Sequence, residues 1–311
     1  MLAGIGVVGY GYWGPRLARA IDRSSACQLA SICEQGVALA DARETHPGTW
    51  CTSEYDALLA SDSVDAIALA TPAETHFPLA LAALDAGKHV FVEKPLALEL
   101  EHVETLAARA EELGLTLMVD HVYVFTGAVD RIAELLDTNE ISPTTYTSLR
   151  INMGRVTGAI DVLFDLVVHD VAILDRLRGR QPIDVRAERP NQTAYGPGEL
   201  VRVVMTYDDG FEADITAGWS APTKHRRIEL AGRDGEVLVY DDDEPTEKLR
   251  LESDGASRVI ECNLAEPLSR SVAHFAGCIR GDVVPMADAA AARRVVTVLE
   301  SLARSIAQVS A

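Results

Sequence analysis

Residues Ala3–Val8 form an unbroken apolar run, and Gly9-Tyr-Gly11-Tyr-Trp-Gly14 follows it without a spacer. A short buried strand that breaks into spaced glycines and then into a helical pattern leaves few folds open. Each glycine has its own task. Gly9 allows a tight turn, Gly11 lets a pyrophosphate approach the backbone, and Gly14 brings helix close to strand. Free N–H groups at the start of that helix attract phosphate, and Pro15 is tolerated in its first turn. Glu34 stands 20 residues beyond Gly14, at the end of the next predicted strand, residues 28–33. A carboxylate there accepts hydrogen bonds from both ribose hydroxyls and repels a 2′-phosphate. Neither Gln35 nor Gly36 supplies a cation to offset that repulsion. The pattern predicts a dinucleotide site with Tyr12 and Trp13 in its loop, and NAD in preference to NADP.

Strand and helix patterns keep alternating through residue 120. Helices are predicted at 37–44, 74–86 and 99–113, and strands at 66–70, 89–92 and 115–119. Repeated βα units imply a doubly wound parallel sheet. Beyond Asp120 the periodicity changes. A helix at 127–136, a strand at 144–151 and a helix at 161–177 precede strands at 201–207, 211–220, 227–231, 236–240, 249–252 and 259–263. Asp209-Gly210 and Asp234-Gly235 mark turns between them. A long Ala-rich amphipathic helix, 287–308, closes the chain. The predicted fold class is therefore α/β, an N-terminal Rossmann domain at 1–120 and an α+β domain at 121–311 with a large, mostly antiparallel sheet. The last helix is free to pack back on the first domain. A chain of 311 residues suits such a division.

Charge and cysteine usage exclude several classes. A net charge of −19, from 28 basic and 47 acidic residues, argues against nucleic acid or an anionic membrane as partner. No apolar stretch reaches the roughly 18 residues of a membrane span, and no basic segment precedes a signal-like run. Five cysteines form no C-x-x-C pair and no zinc spacing, so no metal site is predicted and a reducing cytoplasm is the expected compartment.

Three stretches carry candidate chemistry. Lys88-His-Val-Phe-Val-Glu93-Lys94-Pro95 reads as a buried strand ending in two opposite charges, at the edge where α/β sheets bind ligands. Pro95 keeps Lys94 out of the helical region and allows a cis bond. The alternative is a solvated strand end with an ordinary ion pair. Thr71-Pro72-Ala-Glu-Thr-His76 is placed to cap a helix and touch the cofactor, or is a plain strand-to-helix turn. The helix 161–177 is apolar on nearly every face, yet carries Asp165 and His169, four apart and so on one face. A carboxylate that holds and polarises an imidazole suits general-base catalysis; the competing reading is a self-satisfied core pair. Asp170 and Asp175 read as helix-surface or capping groups. Arg150, Arg155, Lys224, Arg226 and Arg227 form two basic clusters in an otherwise acidic protein, solvated at strand ends unless they meet an anionic ligand.

Together, Gly9–Gly14, Glu34, Thr71-Pro72, Glu93-Lys94-Pro95 and Asp165-x-x-x-His169 resemble the glucose–fructose oxidoreductase/inositol dehydrogenase/MocA family. Gly-Tyr-Trp-Gly-Pro (11–15), Phe-Asp-Leu-x-x-His-Asp (164–170) and Trp-Ser-x-Pro-x-Lys (219–224) look most like its nucleotide-sugar dehydrogenase branch. Arg16 departs from that branch, which usually has asparagine there. The resemblance implies hydride transfer between a sugar-ring carbinol and nicotinamide C4. It implies His169 as base, Asp165 as the group that fixes its tautomer, and Lys94 as a donor to the reacting oxygen. Glu93 would position the nicotinamide ribose and Lys94, and His121 falls at a recurrent family position near the substrate. It further implies a small-molecule sugar substrate and a homodimer or homotetramer formed through the C-terminal sheet. An aminosugar, aminoglycoside or cyclitol is the alternative substrate. NAD-assisted glycoside cleavage and dinucleotide sensing are the other classes that this fold supports.

Overall fold

In the computed structural model, which describes residues 2–152, 160–189, 200–219 and 223–309, β1 (Ala3–Val8) is the pivot of a parallel sheet and buried along its whole length. It pairs with β2 (Cys27–Cys33) on one side and with β4 (Ala66–Leu69) on the other. β3 (Trp50–Thr52) lies beyond β2, while β5 (His89–Glu93) and β6 (Leu117–Asp120) lie beyond β4. The order β3-β2-β1-β4-β5-β6 reverses its direction between β3 and β4. That reversal opens a crevice beyond the carboxyl ends of β1 and β4, the place where doubly wound sheets take their ligands.

Strand alternation sorts the side chains to two faces. Val90, Val92 and Val119 share a core with Ala80, Leu84, Val103 and Leu106, which come from α4 (His76–Asp85) and α5 (Leu100–Leu113). Phe91 points the other way and meets Phe275 of α8 (Pro267–Ile279), ring centroids 5.2 Å apart. The remaining helices of this sheet are α1 (Gly14–Asp22), α2 (Gly36–Thr45) and α3 (Tyr55–Leu59).

The chain separates into two compact units, 1–125 with 266–296 and 126–265 with 297–311. The first is therefore discontinuous. It takes in α8 and the start of α9 (Ala289–Val309), whose Ala292 and Val296 join its core.

The second unit contains α6 (Gly127–Asp137), α7 (Val168–Arg178) and an eight-stranded sheet among the described residues. Its strands are β7 (Pro143–Ile151), β8 (Asp184–Glu188), β9 (Leu200–Thr206), β10 (Glu212–Gly218), β11 (His225–Gly232), β12 (Val237–Asp241), β13 (Leu249–Ser253) and β14 (Ala256–Val259). The order is β14-β13-β12-β11-β7-β10-β9-β8, antiparallel except for the β7–β10 pair. One face buries Tyr146, Val203, Ile215, Ile228 and Leu238. The other carries charge and threonine. One register row across it reads Arg186, Val204, Asp214, Thr147, Glu229, Val239, Arg250, Val259.

The last strand starts earlier than the predicted 259–263. Asp254 and Gly255 both have positive φ, 52° and 76°, and so close a two-residue turn directly after β13. Pairing then begins at Ser253–Ala256 and uses up Val259. The helix predicted at 161–177 begins as a π turn, Leu163–Val167, and becomes regular only at Val168. Short β3, α3 and β8, and the full helix α8, lie outside the elements that the sequence pattern predicts. No helix among the described residues is long and apolar enough to cross a membrane.

Candidate active site

At the carboxyl end of β1 the three glycines stand in three different environments. Gly9 has φ +93°, and a Cβ there would lie 2.7 Å from the Ala70 carbonyl. A Cβ on Gly14 would lie 2.1 Å from the Gly9 oxygen, so the helix packs against the turn as only glycine permits. A Cβ on Gly11 would meet nothing within 4 Å, which leaves open space over that backbone. No side chain caps the α1 N-terminus, and Tyr12 and Trp13 are exposed beside it. Arg16 folds back over them, its guanidinium 4.0 Å from the Tyr12 ring centroid and bonded to the Tyr12 carbonyl. At the end of β2, Glu34 accepts Tyr10 N–H at 2.5 Å and Gln35 N–H at 2.7 Å. Its carboxylate is thus held at the rim of the glycine loop. An open backbone, an uncapped helix start and a fixed carboxylate one strand away fit a dinucleotide's pyrophosphate and ribose.

Across the crevice, at the ends of β4 and β5, His76 is fully buried. Its Nδ1 lies 2.8 Å from Pro95 O and its Nε2 2.9 Å from Thr71 O. Burial drives its pKa down, outweighing both carbonyls. A neutral imidazole donates from one nitrogen only, so one contact is an N–H···O bond and the other a close approach. Either way the ring is spent inside the protein. His76 braces the Thr71 turn against the Lys94-Pro95 turn, whose peptide bond is cis. Thr71 is tied locally as well, accepting Thr75 Oγ1–H at 2.7 Å. Pro72 is exposed and Lys94 half-buried above this brace.

Beneath Lys94 lies a feature the sequence did not announce. Glu93 ends β5 and Asp120 ends β6, and the two are register partners. Partners on adjacent strands are about 4.8 Å apart and point to the same face. That face is covered by α8, where Ser271 Oγ donates to Asp120 Oδ1 at 2.8 Å. Both carboxyl groups are buried. Two charges about 5 Å apart at an effective dielectric near 20 repel by about 3 kcal/mol, or roughly two pKa units. Burial, reinforced by Asp120, pushes Glu93 well above the usual carboxylate range, with Lys94 opposing. Burial raises Asp120 to about 7, and the Ser271 bond holds it back. Both shifts run the same way, so burial and mutual repulsion work against full ionisation of the pair. His121, next along, is buried and its Nδ1 has no hydrogen-bond partner among the described residues. Burial and then the Lys94 charge lower its pKa to about 3, so it stays neutral.

In the second unit, Asp165 sits in the π turn and His169 in the first turn of α7, both half-buried. π turns recur at functional sites. Trp219, at the end of β10, donates Nε1–H to Asp165 Oδ2 at 2.7 Å, which fixes that carboxylate. Asp170 corrects its sequence reading as a surface or capping group, because it is completely buried. It accepts Tyr146 Oη–H and Arg150 Nε–H, both at 2.7 Å, with Arg150 Nη2 at 3.5 Å. Arg150 is only 3% exposed, so it clamps α7 to β7 and is not a solvated contact for substrate phosphate. Lys224 pairs with Asp243 at 2.6 Å, Arg226 lies 3.8 Å from Asp242, and Arg227 pairs with Glu229. Arg155 lies outside the described residues. No cluster of three metal-ligating side chains occurs among the described residues.

Two family models match the chain. That of an oxidoreductase family with an NAD-binding Rossmann fold covers residues 3–121, and the GFO/IDH/MocA C-terminal domain covers residues 150–238. The chain is similar to UDP-N-acetylglucosamine 3-dehydrogenase of Acidithiobacillus ferrooxidans, 28% identical over 74% of this chain and 71% of the relative. A solved structure of the enzyme of that name from that organism superposes with TM-score 0.86 at 25% identity, covering 98% of both chains. It is also similar to the NAD-dependent scyllo-inositol 2-dehydrogenase of Bacillus subtilis, 26% identical over 79% of this chain and 76% of the relative. A third relative is the NADP-dependent D-xylose 1-dehydrogenase 2 of Haloferax volcanii, 27% identical over 67% and 73%.

Proposed function

The chain belongs to the glucose–fructose oxidoreductase/inositol dehydrogenase/MocA family, a sugar or cyclitol dehydrogenase acting on a CH–OH group, and from that premise we propose that it oxidises a secondary ring hydroxyl of a nucleotide sugar with NAD. The observation that carries the nucleotide-sugar reading is the likeness to UDP-N-acetylglucosamine 3-dehydrogenase along 98% of both chains. A cyclitol is the second reading, because the scyllo-inositol relative is almost as similar. NAD is preferred to NADP because the Glu34 carboxylate is held where a 2′-phosphate would be repelled.

NAD bound to the glycine loop and Glu34 supplies the hydride acceptor at its nicotinamide ring. The protein's own groups do the rest. His169 takes the hydroxyl proton, and Asp165 holds the imidazole in the right tautomer and favours its charged form. Trp219 locks Asp165 for that task. Lys94 donates to the same substrate oxygen and stabilises its developing alkoxide charge. The His76 brace fixes the turn from which Lys94 projects. On this reading the first unit takes the cofactor and the second carries the groups that act on the substrate. The polar open face of the eight-stranded sheet is a surface through which copies associate.

The test is NADH absorbance followed against nucleotide sugars, free cyclitols and aminoglycosides. Turnover with a nucleotide sugar and stoichiometric consumption of free NAD is expected. Activity on cyclitols alone would move the substrate assignment, and glycoside cleavage without net NADH formation would overturn the dehydrogenase reading.

A further inference from the structure

We propose that Glu93 and Asp120 form a proton-holding pair that reads the oxidation state of the cofactor: binding of the oxidised dinucleotide expels one proton from the pair, and binding of the reduced form does not. The inference rests on the dehydrogenase reading above and adds to it a role for Asp120, a positioning residue.

The geometry carries the argument. In the strand order β3-β2-β1-β4-β5-β6, Glu34 marks the β2 side of the crevice, where the adenosine ribose is held. The other half of a dinucleotide then extends over the ends of β4, β5 and β6, where Thr71, Glu93, Lys94 and Asp120 stand. Glu93 and Asp120 are register partners on one face, both buried, and closed off from below by Ser271 of α8. With one shared proton the pair carries a single negative charge, and the Lys94 ammonium balances it. The site is then neutral overall. An oxidised nicotinamide ring adds a positive charge. Loss of the shared proton restores neutrality, leaving two carboxylates against two cations. A reduced ring is uncharged and asks for no compensation. The balance is protein-H plus oxidised cofactor giving complex plus one H⁺. When hydride transfer later discharges the ring, the pair can take a proton back.

The surrounding titratable groups do not offer the proton themselves. His121, directly after β6, and His76 on α4 are kept neutral by burial. On α8, Arg270 donates to the Phe125 carbonyl, and His274 accepts Met286 N–H at 3.1 Å. That leaves the carboxyl pair beside Lys94.

The experiment is calorimetric titration of the full chain with NAD⁺ and with NADH at pH 7, in phosphate and in Tris, whose ionisation enthalpies differ. The dependence of apparent heat on buffer gives the protons released. About one proton is expected for NAD⁺ and close to none for NADH. The NAD⁺ dissociation constant should tighten toward tenfold per pH unit where the pair is protonated, while that for NADH stays flat. Asp120→Asn, and separately Glu93→Gln, should abolish both the release and the pH slope. Equal proton counts for the two cofactors in the wild type overturn the proposal without any variant. So does an undiminished release in folded Asp120→Asn. If both cofactors bind but no proton appears, this inference falls alone; if neither binds, the proposed function falls with it.

Discussion

Asp170→Asn tests whether the clamp between α7 and β7 holds the helix that presents His169. In the wild type the Asp170 carboxylate accepts Tyr146 Oη–H and Arg150 Nε–H at 2.7 Å, in a place that excludes water. The amide keeps the shape but removes the charge and one acceptor. Arg150, 3% exposed, then loses the carboxylate to which it is bonded. Removing one member of a buried ion pair costs about 3–5 kcal/mol. For a cooperative unit of this size, each kcal/mol moves the midpoint by roughly 2–4 °C, so the C-terminal unit should melt about 6–20 °C earlier. Tyr146→Phe removes only one hydrogen bond to a charged group and should cost about 1.5–3 kcal/mol. Pairing Asp170→Asn with Arg150→Met removes both members of the ion pair together, so the double variant should be more stable than the sum of the singles implies. Differential scanning calorimetry reads all three. A midpoint within about 1 °C of wild type for Asp170→Asn would refute the clamp, and so would strict additivity in the double variant.

Three further outcomes are expected at the proposed site. NAD should turn over at least ~10-fold better than NADP, about 1.4 kcal/mol, since Glu34 repels the 2′-phosphate; equal steady-state kinetics with the two cofactors rule that out. His169→Ala should lower turnover by ~100-fold or more while NAD still binds by titration, with a milder loss for Asp165→Asn; near-normal turnover in the folded variant returns the pair to a structural role. Lys94→Met should lower turnover by ~100- to 1,000-fold at saturating NAD and substrate, with a larger primary deuterium isotope effect on the carbinol hydrogen. A change confined to the Michaelis constant for NAD demotes Lys94 to a cofactor anchor.

What the sequence determined by itself was whatever short-range chemistry imposes. A glycine at φ +93° and another with a carbonyl 2.1 Å from its missing Cβ leave the start of the chain one economical conformation. The βα alternation then dictates a parallel sheet, and most of the later strands announce themselves by period and by Asp-Gly turns. The Asp254-Gly255 turn is just as legible in the sequence, and it starts β14 directly after β13. Tertiary structure decided everything that depends on partners distant in the chain. Asp170 looked like any helix-surface carboxylate until Arg150 and Tyr146, on a strand 20 or more residues earlier, enclosed it. Asp120 became a partner of Glu93 only because β5 and β6 align them, and it became enclosed only because α8 returns from 151 residues away to set Ser271 against it. Charge on a side chain is written in the sequence. Whether that charge is solvated, paired or holding a proton depends on what the fold brings within about 5 Å of it, because only there does attraction or repulsion in a low-dielectric interior outweigh hydration.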